Sequence, residues 1–191
     1  MTKKSICSIL FFALIALLFT PKTSSATHIA GADWHYECVG PNTYLITLSL
    51  FRACEAQLVL ANAQSIFFTS PCGNLPNINL PLQSTTEVSQ LCAAEMANSD
   101  CNGGPLPGMQ QYIYEGLVVF PNTCDSWTIG WKSCCRNQSI LNLVNPLGTG
   151  LAVVSTLNSA TDSCNNSPVF NAQPIPYVCL NQLVNYNFGV I

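Results

Sequence analysis

Ten cysteines follow residue 26 of this chain, and they constrain the fold more than any other feature of the sequence. They are Cys38, Cys54, Cys72, Cys92, Cys101, Cys124, Cys134, Cys135, Cys164 and Cys179. An even number of cysteines in an exported chain implies a framework of disulfides. Ten cysteines allow about 945 pairings, so the connectivity stays open at this stage. Five bridges of about 2–4 kcal/mol each would rival the stability of an ordinary domain, and we expect reduction to unfold the protein.

Residues 1–26 predict export. Lys3 and Lys4 precede an apolar run from Ile6 to Phe19, and small residues follow up to Ala26. This pattern is typical of a secretory signal peptide and predicts cleavage after Ala26. The apolar run is shorter than the span of about 20 residues that a membrane helix needs. We therefore expect an extracellular or cell-surface protein, with no integral membrane segment after signal cleavage.

Residues 27–191 are expected to form one domain, because no repeat, charge run or linker interrupts them. Their basic residues, Arg52, Lys132 and Arg136, stand against nine acidic residues, which gives a net charge of −6. Such a surface repels phosphate backbones, so nucleic-acid binding is disfavoured. Residues 183–191 have the composition of a strand rather than of a frayed terminus. We expect that the domain is truncated there and that further domains follow Ile191 in a longer protein.

Alternation of apolar and polar residues predicts an all-β domain. The clearest strand is Tyr44–Phe51, and turn-forming glycine, proline and asparagine clusters separate eight further predicted strands. These are Ile29–Cys38, Ser65–Thr69, Ile78–Leu82, Tyr112–Phe120, Ser126–Trp131, Ser139–Val144, Leu151–Leu157 and Tyr177–Val184. Glu87–Asp100 is expected to be a loop insertion with about one helical turn. Many short strands with regular turns predict an immunoglobulin-like or related antiparallel β-sandwich, stapled by disulfides.

The most distinctive local pattern is Trp127-Thr-Ile-Gly-Trp131, followed by Cys134 and Cys135. On a strand, Trp127, Ile129 and Trp131 share one face. Two indoles on one face indicate either the centre of a core or a stacking platform for a ligand. The core is favoured, because aromatic residues dominate sandwich interiors. The adjacent cysteines point to opposite sides of an extended chain, so each is expected to have its own partner, with a vicinal ring or a metal site as alternatives.

Polar clusters give little support to a metal or another cofactor. His28 and His35 lie near acidic residues and Cys38, but no Cys-x-x-Cys or His-x-x-x-His spacing indicates zinc. Calcium stays open at two loops, Asp100–Gly103 and Asp162–Asn166, although turn formation is the simpler role for both. We therefore expect no cofactor and no metal.

Catalytic residues are also not recognisable, and no enzyme is expected. A hydrolytic triad needs a histidine base, and both histidines lie near the predicted mature N-terminus, while no Gly-x-Ser-x-Gly elbow is present. Paired carboxylates for glycoside cleavage, such as Glu37 and Glu115, stay an alternative. Asn137-Gln-Ser139 and Asn165-Asn-Ser167 would be glycosylation sites only in a eukaryotic host.

Short motifs that cover nearly the whole of residues 27–191 resemble those of one family. The motifs are Thr27–Gly31, Tyr36–Cys38, Tyr44–Cys54, Tyr114–Gly116, Trp127–Asn137, Cys164–Pro168 and Cys179–Gln182. In them the chain resembles the N-terminal module of large secreted Bacteroidota surface proteins, which carry PKD-type repeats and a gliding-motility-associated C-terminal sorting domain. The resemblance implies export, passage of the outer membrane by type IX secretion, and a place at the cell surface or in the medium. It implies no catalytic residues.

The expected function is that of a non-catalytic extracellular module, adhesin-like or structural, that contacts other cells or surface polysaccharide. One alternative is a secreted carbohydrate-active or hydrolytic domain that uses Trp127 or Trp131 as a sugar platform. Another is a small cysteine-rich secreted effector or inhibitor, for which glycan at the two sequons would be the simplest test.

Overall fold

The computed structural model describes residues 29–55, 59–136, 140, 142–161, 164–172, 181, 183, 185–187 and 189–191. Within these residues the chain forms seven strands, all paired antiparallel. They are β1 Ile29–Gly40, β2 Thr43–Ala53, β3 Ala63–Thr69, β4 Ile78–Glu87, β5 Met109–Val119, β6 Trp127–Ser133 and β7 Leu151–Leu157. Short 3₁₀ helices occur at Ala93–Asn98, Asp100–Asn102 and Pro146–Gly148. The predicted all-β fold is confirmed.

The strands follow each other in the order β1-β2-β5-β4-β3-β6-β7. Sheet A contains β1, β2, β5 and the second part of β4, whereas sheet B contains the first part of β4 with β3, β6 and β7. β4 is shared because Ile78–Pro81 pairs with β3 and Leu82–Glu87 pairs with β5. In an immunoglobulin constant domain the two sheets have the strand orders ABED and CFG. When β1 to β7 are lettered A to G in chain order, the strand order of this chain is ABED followed by CFG. The chain is therefore an immunoglobulin-like β-sandwich whose fourth strand joins the two sheets.

The core lies between the sheets, because alternate residues of each strand point inward. On β2 the inward residues include Tyr44, Ile46 and Leu48, which are fully buried. On β6 they are Trp127, Ile129 and Trp131, and both sets belong to a single hydrophobic cluster. Full burial of a large apolar side chain stabilises a fold by about 1.5–3 kcal/mol. The alternation in sequence therefore decides which face of each strand is buried.

A chain of aromatic contacts crosses from sheet A to sheet B. The Tyr44 ring meets the Phe120 ring edge to face at a centroid distance of 5.6 Å. Phe120, which follows β5, meets Phe68 of β3 at 5.8 Å and Trp127 of β6 at 5.1 Å. Such pairs contribute about 0.5–1.5 kcal/mol each beyond their burial. The aromatic residues thus fasten the two sheets to each other at the end where β5 leaves sheet A.

Three disulfides join segments that are distant in sequence, which confirms that the fold is stapled. They are Cys38–Cys164, Cys54–Cys101 and Cys72–Cys124, with sequence separations of 126, 47 and 52. Cys38–Cys164 joins the end of β1 to the chain after β7. Cys54–Cys101 joins two loops at one end of the sandwich, and Cys72–Cys124 joins two loops at the opposite end. Several long-range disulfides indicate that the protein folds in an oxidising, extracellular environment.

A fourth disulfide joins the adjacent Cys134 and Cys135. The expectation that each has a separate partner is therefore wrong. It assumed an extended chain, but Cys135 has a φ of 74°, in the left-handed region, so the chain turns just after β6. Cys92 is an exposed free thiol among the described residues, and Cys179 lies outside them.

Three predictions remain, for Ser139–Val144, Tyr177–Val184 and Glu87–Asp100. Ser139–Val144 was predicted to be a strand. Its described residues, 140 and 142–144, form no strand and lie in an irregular connection between β6 and β7. The predicted strand Tyr177–Val184 lies almost entirely outside the described residues. The predicted helical turn within Glu87–Asp100 is present as the 3₁₀ helix Ala93–Asn98.

The chain after β7 returns to the outer edge of β1. The Tyr36 amide donates a hydrogen bond to Ser167 Oγ at 2.9 Å, and the Ser167 amide donates to the Tyr36 carbonyl at 3.0 Å. The Cys38 amide donates to Asn166 Oδ1 at 2.7 Å. Further on, Phe170 forms an antiparallel bridge with Val190. Side chains and backbone of residues 166–167 therefore occupy the edge of sheet A beside the Cys38–Cys164 bond.

Candidate functional site

The two indoles singled out in the sequence lie in the core. Trp127 is 0% and Trp131 is 2% exposed. The Trp131 indole N–H donates to Gln64 Oε1 at 3.0 Å, and the Trp127 indole N–H donates to the Asn122 carbonyl at 3.3 Å. Because both ring faces and both donors are used inside the fold, these residues cannot be the stacking platform that the sequence left open.

The opposite face of the same strand carries a different aromatic residue. Gly130 lies between the two tryptophans and pairs with Phe67 of β3 on one side and with Val154 of β7 on the other. The Phe67 ring lies directly over Gly130, since a methyl group at position 130 would be 2.9 Å from Phe67 Cε1 and closer still to Cζ. A glycine inside a strand commonly marks such a close approach. The glycine therefore provides the space in which the half-buried ring rests on the sheet.

Lys132 stands beside this ring. Its Nζ atom lies over the Phe67 ring at 5.6 Å from the centroid, which is within the range of a cation–π interaction. Lys132 is exposed, whereas Arg52 is buried, with its guanidinium donating to Gln110 Oε1 at 3.0 Å. Arg136 is half-buried in the connection after β6. Among the described residues, Lys132 is thus the most accessible cation.

Three threonines extend the same surface in the next row of the sheet. Thr128 of β6 pairs with Thr69 of β3 and with Thr156 of β7. Thr69 and Thr156 are exposed, and Val154 is 54% exposed. We call this surface the Phe67 face. It consists of Phe67, Thr69, Thr128, Lys132, Val154 and Thr156, and it combines an aromatic ring, hydroxyl groups and one ammonium group.

The acidic residues of the strands lie on sheet A. His35 pairs with Thr47, and Thr47 pairs with Glu115, so these three residues form a row across β1, β2 and β5. The Thr47 hydroxyl donates to Glu115 Oε1 at 3.2 Å. Asp33 lies two residues before His35 on the same face of β1, and burial raises the pKa of its carboxyl group. By contrast, β3, β6, β7 and residues 78–81 of β4 contain no acidic residue.

The structure separates the residues of the possible zinc cluster. Asp33, His35 and Glu37 share the outer face of β1, while Cys38 faces the other way and is bonded to Cys164. His28 lies outside the described residues. The two acids considered for glycoside cleavage, Glu37 and Glu115, lie on strands that β2 separates and in different rows of the sheet. The structure does not bring the described residues of either set together.

The first of the two possible calcium loops is held together by its own polar groups. The Asp100 carboxylate accepts a hydrogen bond from the Gly108 amide at 2.7 Å. The Asn102 amide group donates to Glu87 Oε2 at 2.9 Å and to the Met96 carbonyl at 3.0 Å. In the second loop, Asn166 Oδ1 accepts the Cys38 amide as described above, and Asp162 lies outside the described residues. The described groups act as turn and edge contacts.

Two groups of possible ligands within the described residues bring two sulfurs and a carboxylate together. They are Cys54, Asp100 and Cys101, and Cys72, Cys124 and Asp125. In each group the two cysteines are bonded to one another. Since zinc binds the thiolate form of cysteine, these sulfurs are committed to the staples and not to a metal.

Comparison of the chain with protein-family models, with curated proteins and with solved structures found no match. In the described part of the chain, no helix has the length and apolar character needed to cross a membrane. Function is therefore inferred from the site itself. Phe67 and Lys132 were not predicted from the sequence. Gly130, which lies between two core tryptophans, was a signal that a ring packs on the outer face of β6.

Proposed function

We propose that this chain is a non-catalytic extracellular module, adhesin-like in character, of a secreted or cell-surface protein that contacts polysaccharide or other cells. The observation that carries the proposal is the Phe67 face, where a ring supported by Gly130 and an exposed ammonium group stand on a rigid sheet. An aromatic ring with neighbouring polar groups is suited to recognition of a polar, ring-containing ligand.

The disulfides support the same proposal. A module exposed outside the cell must keep its surface shape without help from a partner or chaperone. Cys54–Cys101 and Cys72–Cys124 fix loops at opposite ends of the sandwich, and Cys38–Cys164 fixes the edge of sheet A. A pre-organised surface binds with a smaller loss of conformational entropy.

The family resemblance gives the proposal its setting. In that setting the signal peptide directs export, type IX secretion carries the protein through the outer membrane, and the domain acts at the surface of a gliding Bacteroidota cell. An exported module with no catalytic residues serves there in adhesion or as a structural unit of the surface.

Binding of the oxidised exported protein to immobilised surface polysaccharides and to whole cells tests the proposal. We expect saturable binding at micromolar to millimolar concentration, and we expect dithiothreitol, which opens the staples, to abolish it. Absence of binding to every polysaccharide and cell type at millimolar protein would contradict the adhesive role.

A further inference from the structure

We infer that the Phe67 face binds a polysaccharide whose sugars carry carboxylate groups, with one sugar ring on Phe67 and its carboxylate at Lys132. This inference deepens the proposed function and rests on it, since it names the ligand class and the residues for the adhesive contact. The ligand class follows from the ring, the ammonium group, the hydroxyls and the distribution of charge on the two sheets.

Phe67 provides a stacking surface for a sugar ring. A sugar ring presents a face of C–H groups that packs on an aromatic ring, and the packing is most favourable when the aromatic ring is already fixed. Phe67 is fixed, because its ring rests on Gly130 and a side chain at that position would displace it. The ring is half-buried, so part of it is open to solvent.

Lys132 places a positive charge beside the stacking surface. Lys132 Nζ lies 5.6 Å from the centre of the Phe67 ring, above the ring. In a uronic acid the carboxylate is bonded directly to the sugar ring, so a stacked sugar carries its charge to the margin of the aromatic ring. The flexible lysine stem lets the ammonium group move from the ring to that carboxylate and form a charge-assisted hydrogen bond.

The distribution of charged residues on the two sheets favours an anionic ligand at Lys132. Residues 27–191 contain three basic and nine acidic residues, so most of the surface repels an anionic polymer. The strands of sheet B contain no acidic residue, whereas Asp33, Glu37 and Glu115 all lie on sheet A. The exposed Asp125 precedes β6, three residues before Thr128, so an anionic ligand meets the least repulsion at the Phe67 and Lys132 end of this face.

Three threonine hydroxyls supply neutral polar groups on the Phe67 face. Thr69, Thr128 and Thr156 form a row beside the Phe67, Gly130 and Val154 row. Each hydroxyl both donates and accepts hydrogen bonds, as sugar hydroxyls do. The row gives a second sugar of the polymer a polar contact next to the stacked one, which suits a chain of sugars more than an isolated small acid.

Two polymers with the same sugar backbone, one anionic and one neutral, test the inference on the full oxidised chain: polygalacturonate and its fully methyl-esterified form. Isothermal titration at low salt should give a Kd about tenfold lower for the acid, because the neutral ester oxygen forms a weaker hydrogen bond with the Lys132 ammonium group than a carboxylate does. Lys132→Gln should remove this about tenfold difference, and Lys132→Arg should keep most of it. Phe67→Ala should weaken binding of both polymers by about fivefold or more.

Controls separate a binding effect from misfolding. Leu117→Ala changes a side chain that is 63% exposed on sheet A, so it should leave both affinities unchanged. If Phe67→Ala disturbs the near-ultraviolet circular dichroism, Phe67→Leu replaces it, since leucine still covers Gly130 but has no aromatic face. Lys132→Gln alters an exposed side chain and should preserve the fold.

Four results would overturn the inference. Equal affinity for acid and ester, or full binding by Lys132→Gln, would show that the contact lies elsewhere. Binding by the unaltered chain would still support the adhesive function in either case. Binding to phosphatidylglycerol vesicles through Lys132, without binding to polygalacturonate, would identify a membrane surface as the partner. Absence of binding to any polysaccharide or cell would remove both the inference and the proposed function.

Discussion

The Cα atoms of Cys38 and Cys164 lie 5.2 Å apart, although 126 residues separate the two cysteines in sequence. Every strand after β1 lies within the loop that this bond closes. The entropy of loop closure increases with the length of the loop. Of the described disulfides, Cys38–Cys164 therefore restricts the unfolded chain most.

Replacing both Cys38 and Cys164 by serine should lower the free energy of unfolding by about 5 kcal/mol, the value that chain entropy gives for a loop of this length. Urea denaturation at pH 7 without reductant measures it. The matched control replaces Cys134 and Cys135 by serine. Their bond joins adjacent residues and encloses no intervening residues, so the expected loss is below about 1 kcal/mol. Equal losses for the two pairs would contradict the prediction.

Gly130→Ala should destabilise the fold by about 1–3 kcal/mol, because the added methyl group overlaps the Phe67 ring and forces it off the sheet. Thermal unfolding of the oxidised protein measures the change. A double-mutant cycle supplies the control. In a Phe67→Ala background the methyl group has space, so Gly130→Ala should cost much less there. A cost that is the same in both backgrounds would mean that the ring is not what the methyl group meets.

Ser167→Ala should lower the free energy of unfolding by about 1 kcal/mol, because the Tyr36 amide loses the hydroxyl that accepts its hydrogen bond. Hydrogen exchange followed by NMR should show the Tyr36 amide exchanging about tenfold faster. The Leu48 amide on the central strand β2 serves as an internal reference and should keep its rate. Unchanged exchange at Tyr36 would show that another group protects this edge.

Glu87→Gln should reduce stability at neutral pH and weaken its dependence on acid pH. Hydrogen bonds from Ser99 and Ser89 lower the pKa of the Glu87 carboxyl below its usual value of 4.5. A carboxyl with a lowered pKa stabilises the fold above about pH 4.5, and this contribution is lost as the pH falls through the folded-state pKa. Urea denaturation from pH 7 to pH 3 should show the two proteins converging in acid. If the difference in the free energy of unfolding stayed constant from pH 7 to pH 3, the charge of the Glu87 carboxylate would not be its cause.

Much of the fold was predictable because the core imposes a period of two on the strands. Tyr44–Phe51 alternates in sequence and lies within β2, where its even-numbered residues are buried. Residues 83–87 of β4 were not predicted to be part of a strand, because they are polar, and residues 83–86 are exposed. An exposed strand segment needs no alternation of apolar and polar residues. The pairing of residues 83–87 with β5 was therefore visible only in the structure.

The candidate site was less predictable, since sequence pattern cannot show which neighbour covers a given residue. Phe67 lies between the core residues Ile66 and Phe68, and its outward position follows only from its pairing with Gly130. The disulfide between Cys134 and Cys135 depended on a left-handed turn at Cys135, which the sequence does not mark with a glycine. Connectivity of the other cysteines required the positions of the loops in space.

The contacts of Asn166 and Ser167 with β1 also affect how one molecule meets another. An open strand edge offers its amides and carbonyls to any passing strand, and sheets extended in this way grow into fibrils. Here a side-chain oxygen from each of these two residues occupies the amides of Tyr36 and Cys38, and the Cys38–Cys164 bond holds that stretch in place. Formation of the Cys38–Cys164 bond thus also protects the β1 edge of sheet A from pairing with a strand of another molecule.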